Sequence, residues 1–132
     1  CIITNQSGLS RGKIDIDQLS EIHNYILNQF YKNNLNLIGI YFCPDHPDNP
    51  STNRKPGSGM FNSAAKDHNI NLNKSIMIGD AVSDIQAGLN LDMDTMLVLT
   101  GRGQNSKDSL NGLSPKHIVE NIMAGAELME KL

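Results

Sequence analysis

The stretch Ile76-Met77-Ile78-Gly79-Asp80-Ala81-Val82-Ser83-Asp84-Ile85-Gln86-Ala87-Gly88 restricts the fold more than any other. A short apolar run followed at once by glycine and a carboxylate predicts a buried strand that ends in a turn. Ser83, with Gln86 three residues on, has the spacing of a capping box, so a helix is expected to begin there. Strand, turn and helix in this order are the repeating unit of open α/β sheets, which bind ligands at the carboxyl ends of their strands. Asp80 stands at such an end and is suited to a hard cation such as Mg2+. Asp84 falls in the first helical turn, where a carboxylate also favours the positive end of the helix dipole. Either role suits it.

The rest of the chain repeats that unit. Cys1-Ile2-Ile3 reads as the tail of a strand, followed by the polar loop Thr4-Asn5-Gln6-Ser7-Gly8 and on to Gly12. A helix is expected from an N-cap at Asp17, with Leu19, Ile22, His23, Ile26, Leu27 and Phe30 on one face and its end at Asn33-Asn34. His23 reads as a packed histidine on that apolar face. Leu37 to Phe42 is a second strand, and Cys43-Pro44-Asp45-His46-Pro47 opens a long polar loop ending in Asn53-Arg54-Lys55-Pro56. A helix over Ser58–His68 buries Met60, Phe61, Ala64 and Ala65. Thr95 to Leu99 is a further strand, turning through Thr100-Gly101-Arg102-Gly103 into polar loop over Gln104–Leu113. Ser114-Pro115 predicts the start of a last helix that buries Ile118, Val119, Ile122, Met123 and Ala126.

Alternation of strands and helices predicts a parallel sheet covered on both faces, a Rossmann-like three-layer α/β domain. The 132 residues are enough for one domain with a core. A net charge of -3 gives no support for a nucleic-acid or membrane-surface partner, and no apolar run reaches the length of a membrane span. Two cysteines, Cys1 and Cys43, make no disulfide framework, and no secretory signal is legible. A cytoplasmic monomer is the expectation.

The polar clusters all follow strands. Thr4, Asn5, Gln6 and Ser7 offer small donors, Arg54 a planar fork and Lys55 a compact charge. Asp80 offers a carboxylate. Gathered at one sheet edge, these are the parts needed to hold and neutralise a phosphoryl group in transfer.

In Thr4-Asn5-Gln6-Ser7-Gly8-Leu9-Ser10-Arg11-Gly12, Cys43-Pro44-Asp45-His46-Pro47, Arg54-Lys55-Pro56, Ile78-Gly79-Asp80 with Ser83–Gly88, and Leu97–Gly103, the chain resembles the haloacid dehalogenase-like phosphatases. Within them it is most similar to the heptose 1,7-bisphosphate 7-phosphatases. The resemblance implies a Mg2+-dependent phosphatase acting on a small phosphorylated sugar. In that role Thr4 and Asn5 hold the phosphoryl group, and Gln6 and Ser7 complete the substrate loop. Arg54 recognises the sugar phosphate, Lys55 stabilises the phosphoryl group, and Asp80 ligates Mg2+. A histidinol-phosphatase and a non-catalytic phosphate-binding domain are the alternatives. The family's nucleophile and acid/base aspartates lie in an Asp-x-Asp strand before the position of Thr4, and no such strand is present. Asp15 and Asp17 have the spacing, but they open a helix. The resemblance therefore implies a fragment without its first strand, inactive as written. Many relatives also hold a structural zinc by Cys-x-His and a later Cys-x-Cys. Here only Cys43 and a displaced His46 remain, so zinc is not expected.

Overall fold

The computed structural model describes all residues, 1–132. It divides into two compact units, residues 1–70 and 71–132. The first contains strand β1 (Ile2–Asn5), helix α1 (Ile16–Lys32), strand β2 (Ile40–Cys43) and helix α2 (Gly59–His68). The second contains β3 (Ile76–Gly79), α3 (Val82–Asn90), β4 (Asp94–Val98), α4 (Gly103–Asp108), β5 (His117–Val119) and α5 (Ile122–Met129). The α/β expectation holds, and every strand pair is parallel. The strands form two sheets, β1-β2 and β3-β4-β5, in place of one continuous sheet. β1 and β3 each keep one edge without a strand partner.

In the first unit, β1 and β2 run in register from Ile2 opposite Ile40 to Asn5 opposite Cys43. The cap of α1 is Asp15, two residues before the expected Asp17. The Asp15 carboxylate accepts the Gln18 N–H at 2.8 Å, and the Gln18 side chain accepts the Asp15 N–H at 2.9 Å. This reciprocal box outcompetes a cap at Asp17, which lies in the first turn. The apolar face of α1 is narrower than expected. Leu19 is buried and His23, Ile26 and Phe30 are half-buried, while Ile22 and Leu27 are exposed. His23 packs against Phe42, ring centroids 5.6 Å apart. Helix α2 buries Met60, Phe61 and Ala64, leaves Ala65 half-buried, and ends at Asn69 in the left-handed conformation, φ 53°.

In the second unit, Thr95, Met96 and Leu97 of the central strand β4 are fully enclosed, as expected of a strand covered on both faces. Three expectations fail here. Residues 104–108, expected as loop, are most of α4, which turns on the Arg102 carbonyl accepting the Ser106 N–H at 2.9 Å. Ser114-Pro115 starts no helix: the next element is β5, three residues paired to β4 from Met96 opposite His117 to Val98 opposite Val119. A strand this short shows no periodicity, and sheet pairing decides it. The last helix begins later, at Asn121, whose side chain accepts the Ala124 N–H at 2.9 Å. Its inward face is therefore Ala124, Gly125 and Leu128, and the expected core residues Ile122 and Met123 are exposed, Met123 at 67%.

Helix α3 lies close on the sheet because Gly88 has no side chain. A Cβ there would stand 2.6 Å from the Thr95 methyl and 3.0 Å from the Met77 Cβ. Gly88→Ala is expected to lower stability by roughly 1–3 kcal/mol through overpacking, although alanine favours helix. Urea denaturation checks this; an unchanged or higher midpoint would show that the helix can lift away freely.

Candidate functional site

In the first unit the site is built where β1 ends. Thr4 and Asn5 are its last residues. The Thr4 hydroxyl accepts the Gln6 side-chain amide at 2.9 Å, and the Gln6 main-chain N–H donates to the Cys43 carbonyl at 2.7 Å. The loop then closes on itself, the Ser7 carbonyl accepting the Arg11 N–H and the Ser10 hydroxyl, both at 3.0 Å.

Lys55 reaches this strand end from fifty residues away and is held there at three atoms. Its N–H donates to the Asn5 side-chain oxygen at 3.0 Å, and its carbonyl accepts the Asn5 side-chain NH2 at 3.2 Å. Its ammonium donates to the Ile3 carbonyl at 2.7 Å. The residue is only 8% exposed, and an ammonium so far removed from water needs such partners. Asn5 therefore uses both ends of its side chain to fix Lys55, a job its sequence position did not announce. The structure brings Thr4, Asn5, Gln6 and Lys55 together at one strand end.

Arg54, half-buried, donates from Nη1 to the Asp45 carbonyl at 3.1 Å. The Asp45 carboxylate accepts the Ser51 N–H at 2.6 Å. The Ser51 hydroxyl and amide, with the Cys43 thiol, hold the Asp45 carboxyl below its usual range. Burial pushes the Cys43 thiol up, which makes it a poor nucleophile. Nδ1 of His46 accepts the Asp48 N–H at 3.1 Å.

In the second unit, Asp80 follows the end of β3 directly. Its Oδ2 accepts the Arg102 N–H at 2.8 Å, which ties the turn after β4 to the carboxylate. Asp84, 5% exposed, accepts the Ala81 N–H at 3.0 Å and so closes the first turn of α3. That bond, made by a carboxylate inside the helix, replaces the expected Ser83–Gln86 box. No three His, Cys, Asp or Glu side chains cluster as a metal cage. Asp80 alone suits a cation that keeps most of its waters and leans on a phosphate, which is the habit of Mg2+.

The turn after β4 must pass very close to Asp80. Gly101 has φ +58°, and a Cβ on it would run into the Asp80 Oδ2. Gly12 also has positive φ, +67°, but a Cβ there would meet nothing. Gly12→Ala is expected to cost roughly 1–2 kcal/mol of strain alone. Gly101→Ala should cost clearly more, because it also displaces the carboxylate. Denaturation midpoints of the two variants give the comparison, and equal losses would mean that Asp80 moves aside without penalty.

The family described as HAD-hydrolase-like matches residues 52–124. The chain is 41% identical over 100 residues to the D-glycero-beta-D-manno-heptose-1,7-bisphosphate 7-phosphatase of Helicobacter pylori (strain J99), covering 75% of this chain and 58% of that one. It is 31% identical over 140 residues to the D-glycero-D-manno-heptose-1,7-bisphosphate 7-phosphatase of Thermosynechococcus vestitus, covering 96% and 71%. Among solved structures it is similar to the D,D-heptose 1,7-bisphosphate phosphatase of B. bronchiseptica complexed with magnesium and phosphate. The TM-score is 0.86 at 31% identity, over 96% of this chain and 71% of that one. The chain thus spans little more than half the length of the first of these relatives, 58%. The parallel α/β fold agrees with these matches, and the chain belongs to the HAD-hydrolase-like family.

Proposed function

We propose that this protein is a Mg2+-dependent phosphomonoester hydrolase that removes the 7-phosphate of D-glycero-D-manno-heptose 1,7-bisphosphate. The observation that carries the reading is the fixing of Lys55. A buried ammonium tied to the Ile3 carbonyl, one residue before the Thr4 hydroxyl, is an anion site prepared in advance. Charge set in place before reaction is the largest lever on a phosphoryl transfer, because nothing need reorganise when charge develops. Relatives carrying the same name support the substrate class.

In this reading Thr4, Gln6 and Ser7 form the phosphate-facing loop with the main chain of Asn5, whose side chain fixes Lys55, and Lys55 neutralises the transferred group. Arg54 binds the phosphate that stays on the sugar. Asp80 holds Mg2+, which would offset charge on the phosphate oxygens. The attacking carboxylate of an aspartyl-phosphate route is not among these residues. Asp15 is spent on the cap of α1 and does not serve as that nucleophile in this reading. Zinc takes no part. Residues 1–132 act in this reading as one phosphatase domain of a cytoplasmic monomer, on a small phosphorylated sugar. No helix is long and apolar enough to cross a membrane.

The test is phosphate release by the full-length protein with Mg2+ and heptose 1,7-bisphosphate, histidinol phosphate and other small phosphomonoesters. Preference for the heptose is expected, with activity lost on chelation and regained with Mg2+. Lys55→Met should lower kcat about 100- to 1000-fold. Asp80→Asn should raise the Mg2+ concentration needed for half activity, and elemental analysis should find no stoichiometric zinc. Preference for histidinol phosphate would move the substrate assignment. Phosphate binding without release from any ester would replace the enzyme by a binding domain.

A further inference from the structure

Arg54 and Lys55 lie side by side in sequence, yet they are held by different means. Lys55 is fixed to β1 by Asn5. Arg54 has no such strand partner, and its guanidinium rests on one residue of its own loop, Asp45. Asp45 works at two points. Its carboxylate takes the Ser51 N–H at 2.6 Å, and its carbonyl takes Arg54 Nη1 at 3.1 Å. Ser51 passes the constraint on to the two residues before Lys55. Its hydroxyl accepts the Asn53 N–H at 3.2 Å, and its carbonyl accepts the Arg54 N–H at 3.2 Å. The loop between Asp45 and Arg54 is therefore a closed ring of hydrogen bonds with one carboxylate at its hub. Cutting the Asp45–Ser51 bond would free the backbone that carries Arg54 and at the same time loosen the carbonyl under its guanidinium.

We propose that Asp45 is a positioning residue for Arg54, and that through it Asp45 sets the affinity for the part of the substrate that Arg54 grips. The proposal rests on the phosphatase reading for what Arg54 binds, but not for the ring itself. Asp45 makes no hydrogen bond to Thr4 or Lys55, so its loss should touch recognition and spare the chemical step. The Asp45 carboxyl, held below its usual range by the Ser51 donors, is ionised at neutral pH, and a charged acceptor makes the stronger bond to an amide.

Two variants of the full-length protein separate the outcomes. Asp45→Ala removes the acceptor, and Asp45→Asn keeps an oxygen for the Ser51 N–H. Hydrogen exchange of the segment 44–54 should quicken in Asp45→Ala and stay near the parent rate in Asp45→Asn; this readout does not depend on any activity. With heptose 1,7-bisphosphate, Asp45→Ala should raise KM about tenfold, the scale of one hydrogen bond to a charged group, with kcat within about twofold. Asp45→Asn should recover most of that loss. With p-nitrophenyl phosphate, which carries no second phosphate, KM should not change. Unchanged exchange in Asp45→Ala would overturn the proposal outright. So would a fall in kcat shared by both substrates, which marks general loosening of the fold. If the unmodified protein releases no phosphate from any ester, the phosphatase reading falls while the exchange result still decides whether Asp45 holds the ring.

Discussion

The pair of hydrogen bonds between the Asn5 side chain and the Lys55 backbone is the contact on which the candidate site depends. It joins segments fifty residues apart and mimics one rung of a strand ladder with a side chain. A primary amide suits the task because it presents a donor and an acceptor side by side. Once the backbone at Lys55 is set, the four-carbon side chain can return to β1 and the ammonium donates to the Ile3 carbonyl. Burial of that charge would be costly if the backbone carrying it could wander.

A common design runs through both units: carboxylates in the segments that follow strands accept main-chain N–H groups of nearby turns. Asp80 is braced by the Arg102 amide, Asp84 braces the Ala81 amide, and Asp45 takes the Ser51 amide. Each carboxylate is thereby limited in the rotamers it can reach. Rotamers fixed in this way lose little entropy when a ligand arrives.

Much of this was legible in the residue order. The β3 boundaries, the apolar stripe of α2 and the parallel alternation follow from local pattern, and Thr4, Lys55 and Asp80 stand out by motif. What escaped depends on distance along the chain. Asn5 looks like a turn residue until Lys55 arrives beside it. The end of the chain was misread because Ser114-Pro115 carries a strong helix-start signal, whereas β5 exists only through its ladder with β4. Asn121 is as good a cap as Ser114, and only the sheet decides between them. The exposure of Met123 follows from that shift of the helix start, which rotates the inward stripe onto Ala124, Gly125 and Leu128.

The amide of Asn5 is also a point of chemical sensitivity. Hydrolysis of that side chain to aspartate would leave the oxygen that accepts the Lys55 N–H and turn its other end into a second acceptor facing the Lys55 carbonyl. Two oxygens would then oppose each other where a donor had been, and the strand end would lose its hold on the lysine. Conversion of this one side chain would thus be felt first at the lysine it holds.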